Sequence, residues 1–373
     1  MKIAIQTLPL NSNYGGILQA YALQSTLQRM GHEVSVIARS CLPPPPPLSE
    51  LLIDGARRAL RRYIFCDQEV MLTQRRQWIR DNRIINQHTR HFVERYICEL
   101  PCDDYSSLPP NSVDAIVVGS DQVWRPRYFG EGLIADAYLA FARGWSIRRV
   151  AYAASFGSDE WEYTEAQREV CRELLAQFDY VSVREVSGVR LCREYLGVDA
   201  SQLLDPTMLL SRGDYEQIVE RGATTPSPGN LMLYILDPTP DKERVAEAIA
   251  KGQSLTPFSV RFVGGVRVED MVQPPLEQWI RGFADAEFVV TDSFHATVFA
   301  ILFNTPFVVC ANRARGATRL HSLLGEFGLE GRFVESEEEL ERATQCGIDW
   351  ARVNCRVETL RGRSVAALRG CFE

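Results

Sequence analysis

The sequence predicts an α/β protein built from two halves, each a mostly parallel sheet covered by helices. Short apolar runs read as buried strands at 2–7, 34–38, 113–118, 150–154, 180–183 and 202–204, and again at 231–236, 258–263, 288–290 and 307–310. Helical patterns lie between the later strands, near 242–251, 276–283, 293–303 and 318–327. Such alternation implies parallel strands joined by crossover helices. Pro226-Ser227-Pro228-Gly229-Asn230 interrupts the pattern, and 373 residues suit two cores better than one. The predicted halves are 1–210 and 211–373, with the last helical stretch, 350–371, free to pack back on the first half.

Composition narrows the function. A hydrophobic content of 46% is that of a globular chain, and a net charge of −7 argues against a whole-protein affinity for nucleic acid or anionic lipid. No apolar run approaches 18 residues, so no membrane span is expected. MKIAIQTLPL is too short in its apolar run for a signal peptide and reads as the first strand. The ten cysteines are dispersed and read as reduced core thiols of a cytoplasmic protein.

In the first half, the strand at 2–7 is followed by Asn13-Tyr14-Gly15-Gly16 and a helix with apolar residues at 17, 18, 20, 22, 23 and 27, ended by Gly31. The glycine pair is not a dinucleotide fingerprint, but it lets backbone approach a ligand closely. Five consecutive prolines, 43–47, are expected to make an extended segment. They lead into a helical insertion at about 43–105. From Ser49 to Tyr96 ten arginines face six acids, a local +4 on an acidic chain. That is either a solvated helix face or a basic surface for peripheral contact with a membrane or an anionic, lipid-linked acceptor. His88, His91, Cys98 and Cys102 have ligand chemistry but not the order or spacing of common zinc sites, so no metal is expected.

Three strands then end in polar turns: Gly119-Ser120-Asp121 after 113–118, Ser155-Phe156-Gly157 after 150–154, and Arg184-Glu185 after 180–183. Strand C-termini border the ligand crevice in such folds. A charge directly after an apolar strand must meet water, a carboxylate or a ligand anion. In the second half, Thr291, Asp292 and Ser293 supply capping oxygens between a strand and a helix, placing His295 in the first turn. That end carries partial positive charge and free donors, which suits an anion. Asn304, Thr305 and Pro306 end the helix, and Arg313, Arg315 and Arg319 flank a glycine-containing loop with the character of a phosphate cradle.

Taken together, Asn13-Tyr14-Gly15-Gly16 with Leu18-Gln19-Ala20-Tyr21, Val118 to Trp124, Tyr152 to Gly157, Ser182-Val183-Arg184-Glu185, Asp205-Pro206-Thr207, Thr291 to His295 with Asn304 and Pro306, and Arg319 to Arg332 resemble the polysaccharide pyruvyl transferase family. The resemblance spans nearly the whole chain outside the insertion. It implies two Rossmann-like domains facing across a cleft, GT-B-like. It also implies transfer of the pyruvyl group of phosphoenolpyruvate onto two hydroxyls of a sugar in a surface polysaccharide precursor, with release of phosphate. Where family members often carry arginine two residues before the motif histidine, this chain has Ser293; Arg315 or Arg319 is the candidate for the missing charge.

On this reading His295 is the candidate acid, because imidazole titrates near neutrality, and Asp121 the candidate base or hydroxyl binder. Arg184, Arg315, Arg319, Ser293, Asn13, Tyr14, Gly15, Gly16 and Ser155 are the candidate substrate-binding residues. No cofactor is implied beyond phosphoenolpyruvate as donor; the acceptor is a sugar or lipid-linked oligosaccharide, and the expected location is the cytoplasm, at or near the inner membrane face. The competing readings are a GT-B-type glycosyltransferase using a nucleotide sugar and a non-catalytic member of the family.

Overall fold

The computed structural model describes residues 1–39, 74–130, 133–261, 267–312 and 317–373. Seven parallel strands form the first sheet: β1 (Lys2–Gln6), β2 (Glu33–Arg39), β3 (Glu99–Cys102), β4 (Ala115–Val118), β5 (Arg148–Ala154), β6 (Tyr180–Val183) and β7 (Ser201–Gln202), in the order β3-β2-β1-β4-β5-β6-β7. The second sheet is also parallel and has five strands: β8 (Leu231–Tyr234), β9 (Pro257–Phe258), β10 (Phe288–Thr291), β11 (Phe307–Cys310) and β12 (Phe333–Val334), in the order β12-β11-β10-β8-β9. The central strands β4, β10 and β11 are buried at every residue, which is why they read as unbroken apolar runs rather than alternating ones.

The helices that matter for the site follow from local chemistry. Helix α1 (Tyr14–Arg29) buries thirteen residues, Gly15 and Gly16 among them. In the described part of the insertion lie α2 (Gln74–Ile85) and α3 (Gln87–Tyr96). Helix α4 (Glu165–Leu175) carries a capping box from Thr164 and Gln167, and α5 (Val186–Leu191) follows β6. Between the sheets comes α6 (Arg212–Arg221), capped by Ser211. The second half adds α7 (Pro240–Gln253), α8 (Leu276–Asp285), α9 (Phe294–Phe303), α10 (Thr318–Phe327), α11 (Glu337–Gln345) and α12 (Trp350–Gly370). Helix α9 is buried along its whole length and stops at Asn304, whose φ of 57° is the left-handed conformation asparagine tolerates.

One core joins α1, α8, α9 and α12, so both lobes share apolar packing. Polar ties cross as well. The Ser364 hydroxyl of α12 accepts from Leu204 N at 3.1 Å, and Arg361 donates to Met208 O and Leu210 O.

Four details depart from the sequence reading. Residues 99–102 end the predicted helical insertion as edge strand β3, paired with β2. Of the strand expected at 258–263, residues 259–261 are not strand and only Phe258 belongs to the short edge strand β9, which begins at Pro257, where proline has no N–H for a ladder; residues 262 and 263 lie outside the described residues. Strand β12 was too short to carry a periodic signal. Finally, Cys98, Cys346 and Cys355 are exposed rather than core thiols: Cys98 and Cys346 fall at element margins, and Cys355 lies on the water-facing side of α12. The proline run and the Arg57-Arg58 and Arg61-Arg62 pairs lie outside the described residues. Among the described residues no helix is long and apolar enough to cross a membrane.

Candidate active site

The C-terminal ends of β4, β6 and β10 and the start of α1 meet at one buried cluster. Its centre is Asp205, which follows β7 and caps the short turn Pro206–Leu209. Asp205 accepts from Arg184 Nη1 at 2.7 Å, Ser120 Oγ at 3.0 Å, Thr207 Oγ1 at 2.7 Å and Thr207 N at 3.0 Å. His295 Nε2 lies 3.7 Å from the same carboxylate. Burial alone would push the Asp205 pKa up. The proximity and charge of His295, the charge of Arg184 and the Thr207 hydroxyl outweigh it and hold the carboxyl well below its ordinary range.

His295 reaches this cluster because Gly15 has no side chain. A Cβ on Gly15 would sit 1.9 Å from His295 Nδ1, so the imidazole of the second lobe rests directly on the first turn of α1. Gly15→Ala is therefore expected to expel the ring, with loss of activity and destabilisation of about 1–3 kcal/mol, measured by turnover and urea denaturation on the same preparation. Asn13, the residue before α1, makes no side-chain cap; its Nδ2 donates to Asp121 Oδ2 at 3.1 Å. Asp121 Oδ1 in turn lies 3.9 Å from Arg184 Nη2. Gly16 fits beneath this pair, since a Cβ there would be 3.0 Å from Asp121 Oδ2.

A second buried carboxylate, Glu185, flanks the cluster. It accepts from Phe156 N at 2.9 Å and Gly157 N at 3.4 Å. Those amides are aimed by an irregularity in β5. Ala153 is left-handed at φ 49°, the β5–β6 register shifts between Ala151 and Ala154, and Ser182 Oγ accepts from Ala153 N while donating to Ala151 O. Burial raises the Glu185 pKa, against the opposing charges of Arg184 and Arg319.

Two guanidiniums converge on one aromatic ring. Arg184 Cζ lies 4.5 Å from the Phe294 centroid and Arg319 Cζ, from the start of α10, 5.8 Å. Burial, then the like charge of Arg184, bring Arg319 down to about 10, so it stays cationic at neutral pH. Arg184 Nε and Nη2, Glu185 Oε2 and His295 Nε2 are buried without a hydrogen bond among the described residues. A cluster holding two cations and unsatisfied donors is equipped for a small anion with more than one charged group.

The structure thus brings Asn13, Gly15, Gly16, Asp121, Arg184, His295 and Arg319 together. Ser155 stands at the edge, its Oγ accepting from Gly157 N. Tyr14 is committed elsewhere: its hydroxyl donates to Pro274 O at 2.5 Å and its ring packs on Trp279. Ser293 is the α9 cap, accepting from Ala296 N. Asp292, expected as part of that cap, turns away to accept from Leu236 N, Asp237 N, Asn312 Nδ2 and Lys242 Nζ. Arg315 lies outside the described residues. Sequence reasoning passed over Asp205, Glu185 and Phe294 as site residues. The signal for Asp205 was the one used for Arg184, a charge placed straight after an apolar run. Among the described residues no grouping of His, Cys, Asp and Glu could hold a metal ion.

Comparison with solved structures shows the fold. The chain is similar to Arabidopsis thaliana UGT89C1 complexed with UDP-L-rhamnose, at 10% identity over 99% of this chain and 98% of that one, with a TM-score of 0.50. It is also similar to UDP-GlcNAc 2-epimerase from Neisseria meningitidis bound to UDP-GlcNAc, at 11% identity over 100% and 99% of the two chains, TM-score 0.48. The architecture is that of GT-B enzymes, two Rossmann-like domains. No curated protein matches the chain. A family model described as polysaccharide pyruvyl transferase matches residues 13–313, a span running from Asn13 past His295. The chain belongs to the polysaccharide pyruvyl transferase family, a family of transferases.

Proposed function

We propose that the protein moves the pyruvyl group of phosphoenolpyruvate onto two hydroxyls of a sugar in a surface polysaccharide precursor, forming a cyclic ketal. The observation that carries this reading is the convergence of Arg184 and Arg319 on Phe294 beside His295. Phosphoenolpyruvate presents a phosphate and a carboxylate a few bonds apart, and guanidinium forks match both. His295 gives a proton to the methylene carbon, which becomes the methyl group, and positive charge develops at C2. A sugar hydroxyl adds there and loses its proton to Asp121. Phosphate then leaves with the bridging oxygen, and the second hydroxyl closes the ring as its proton is taken up. Two hydroxyl protons are lost in all, one balancing the new C–H bond and one carried off with phosphate. Asp205 orients the imidazole and offsets the charge of Arg184.

The nucleotide-sugar alternative has weaker support in the geometry. In the second sheet, strand order reverses between β8 and β10, where a diphosphate would be expected to meet backbone amides. There the amides of Leu236 and Asp237 are taken by the chain's own Asp292. Thermal denaturation with either ligand separates the readings. Phosphoenolpyruvate at a hundredfold excess over its dissociation constant should stabilise the fold by about 2.7 kcal/mol, and UDP-sugars should not. Stabilisation by UDP-sugars alone, with no phosphate released from phosphoenolpyruvate across a panel of acceptor sugars, would overturn the proposal.

A further inference from the structure

Helix α2 carries a surface that the proposed chemistry does not use. Arg75, Trp78, Ile79, Asn82 and Arg83 recur at intervals of three and four, so they share one face. Trp78 is 38% exposed and Ile79 42%, two of the six large apolar side chains left open to water among the described residues. Both flanking arginines are exposed, and neither Arg75 nor Arg83 has an ion-pair partner among the described residues. Acids nearby are engaged elsewhere: Asp81 accepts from Gln77, and Glu94 and Glu99 pair with Arg90. The face is therefore cationic and apolar at once, on a protein whose net charge is −7.

We propose that this face of α2 docks on an anionic lipid bilayer. An indole and a branched aliphatic chain enter the headgroup boundary while guanidiniums meet lipid phosphates, the composition of an interfacial helix. A protein or nucleic-acid partner would fit the arginines but gives less account of Trp78 and Ile79 standing between them. Position supports the same choice. Gln273 N donates to Ile85 O at the end of α2, and the adjacent Pro274 O accepts from Tyr14, next to Gly15 and His295. Docking through α2 would thus bring the bilayer close to the buried cluster. The inference stands on the surface alone and does not depend on the identity of the donor.

The test is co-sedimentation of the full chain with vesicles of phosphatidylcholine, with and without phosphatidylglycerol, at low and high salt. Binding is expected only to the anionic vesicles, weakening as salt rises. Arg75→Glu/Arg83→Glu should lower the partition constant by about 30-fold or more, and Trp78→Ser/Ile79→Ser should lower it at either salt. Both double variants should keep the parent melting temperature and the parent affinity for phosphoenolpyruvate, because neither pair touches the cluster. Equal partition into both vesicle types, absence of binding, or binding unchanged in the two double variants would each overturn the inference. Failure of phosphoenolpyruvate to bind the parent protein would leave this result intact and count only against the donor.

Discussion

His295→Ala is expected to lower phosphate release from phosphoenolpyruvate by about 10²–10⁴-fold while the protein stays folded. The fold should survive because the ring is not what satisfies its neighbours. Asp205 keeps Arg184, Ser120 and Thr207 when the imidazole is gone. What disappears is the group proposed to give the proton to the donor's methylene carbon. His295→Gln is the companion variant, since it fills the space over Gly15 and cannot deliver a proton near neutrality. Turnover measured with the acceptor that supports the parent rate, together with a melting curve, decides the matter. Near-parent turnover in either variant would remove His295 from the mechanism.

Arg184→Ala should do damage of two kinds. As a candidate substrate-binding residue, Arg184 is expected to leave donor binding weaker when it is removed. The structure adds a stability cost, because Arg184 is buried, sits on the Phe294 ring, and supplies the shortest cationic contact to a carboxylate that is itself buried. Removing one partner of such a pair costs about 3–5 kcal/mol. Urea denaturation should show that loss without ligand, and Arg184→Lys should recover part of it, since a charge remains without the planar fork. If Arg184→Ala has parent stability and only weaker phosphoenolpyruvate binding, the ion pair with Asp205 is not formed in solution.

The same pair has a pH signature. The Asp205 pKa is depressed in the fold, so the folded state gives up this proton more readily than the unfolded chain. Its contribution is fully present above the range of a free aspartate, about 4. It is lost as the pH falls through the lower folded value. The stability gap between the parent and Asp205→Asn should therefore be wide at neutral pH and narrow in acid.

Much of the architecture was legible in the chain. Buried parallel strands must be apolar on both faces, so β4, β10 and β11 announced themselves as runs, and the caps and breakers at Ser293 and Asn304 marked α9 from residue type alone. His295 at a helix start and Arg184 at a strand end could be singled out because each is a polar group where burial is costly. Which of these groups would meet could not be read along the chain. Asp205 lies 90 positions from His295 and 21 from Arg184, and only the packing of two sheets on a shared core brings the three side chains together. Local sequence determined the strands, the helix ends and the chemical types at their tips. The tertiary structure alone decided that Asp292 would satisfy a neighbouring loop, that Tyr14 would bond across the lobes, and that Gly15 would make room for an imidazole, since each depends on contacts between segments whose separation no local periodicity records.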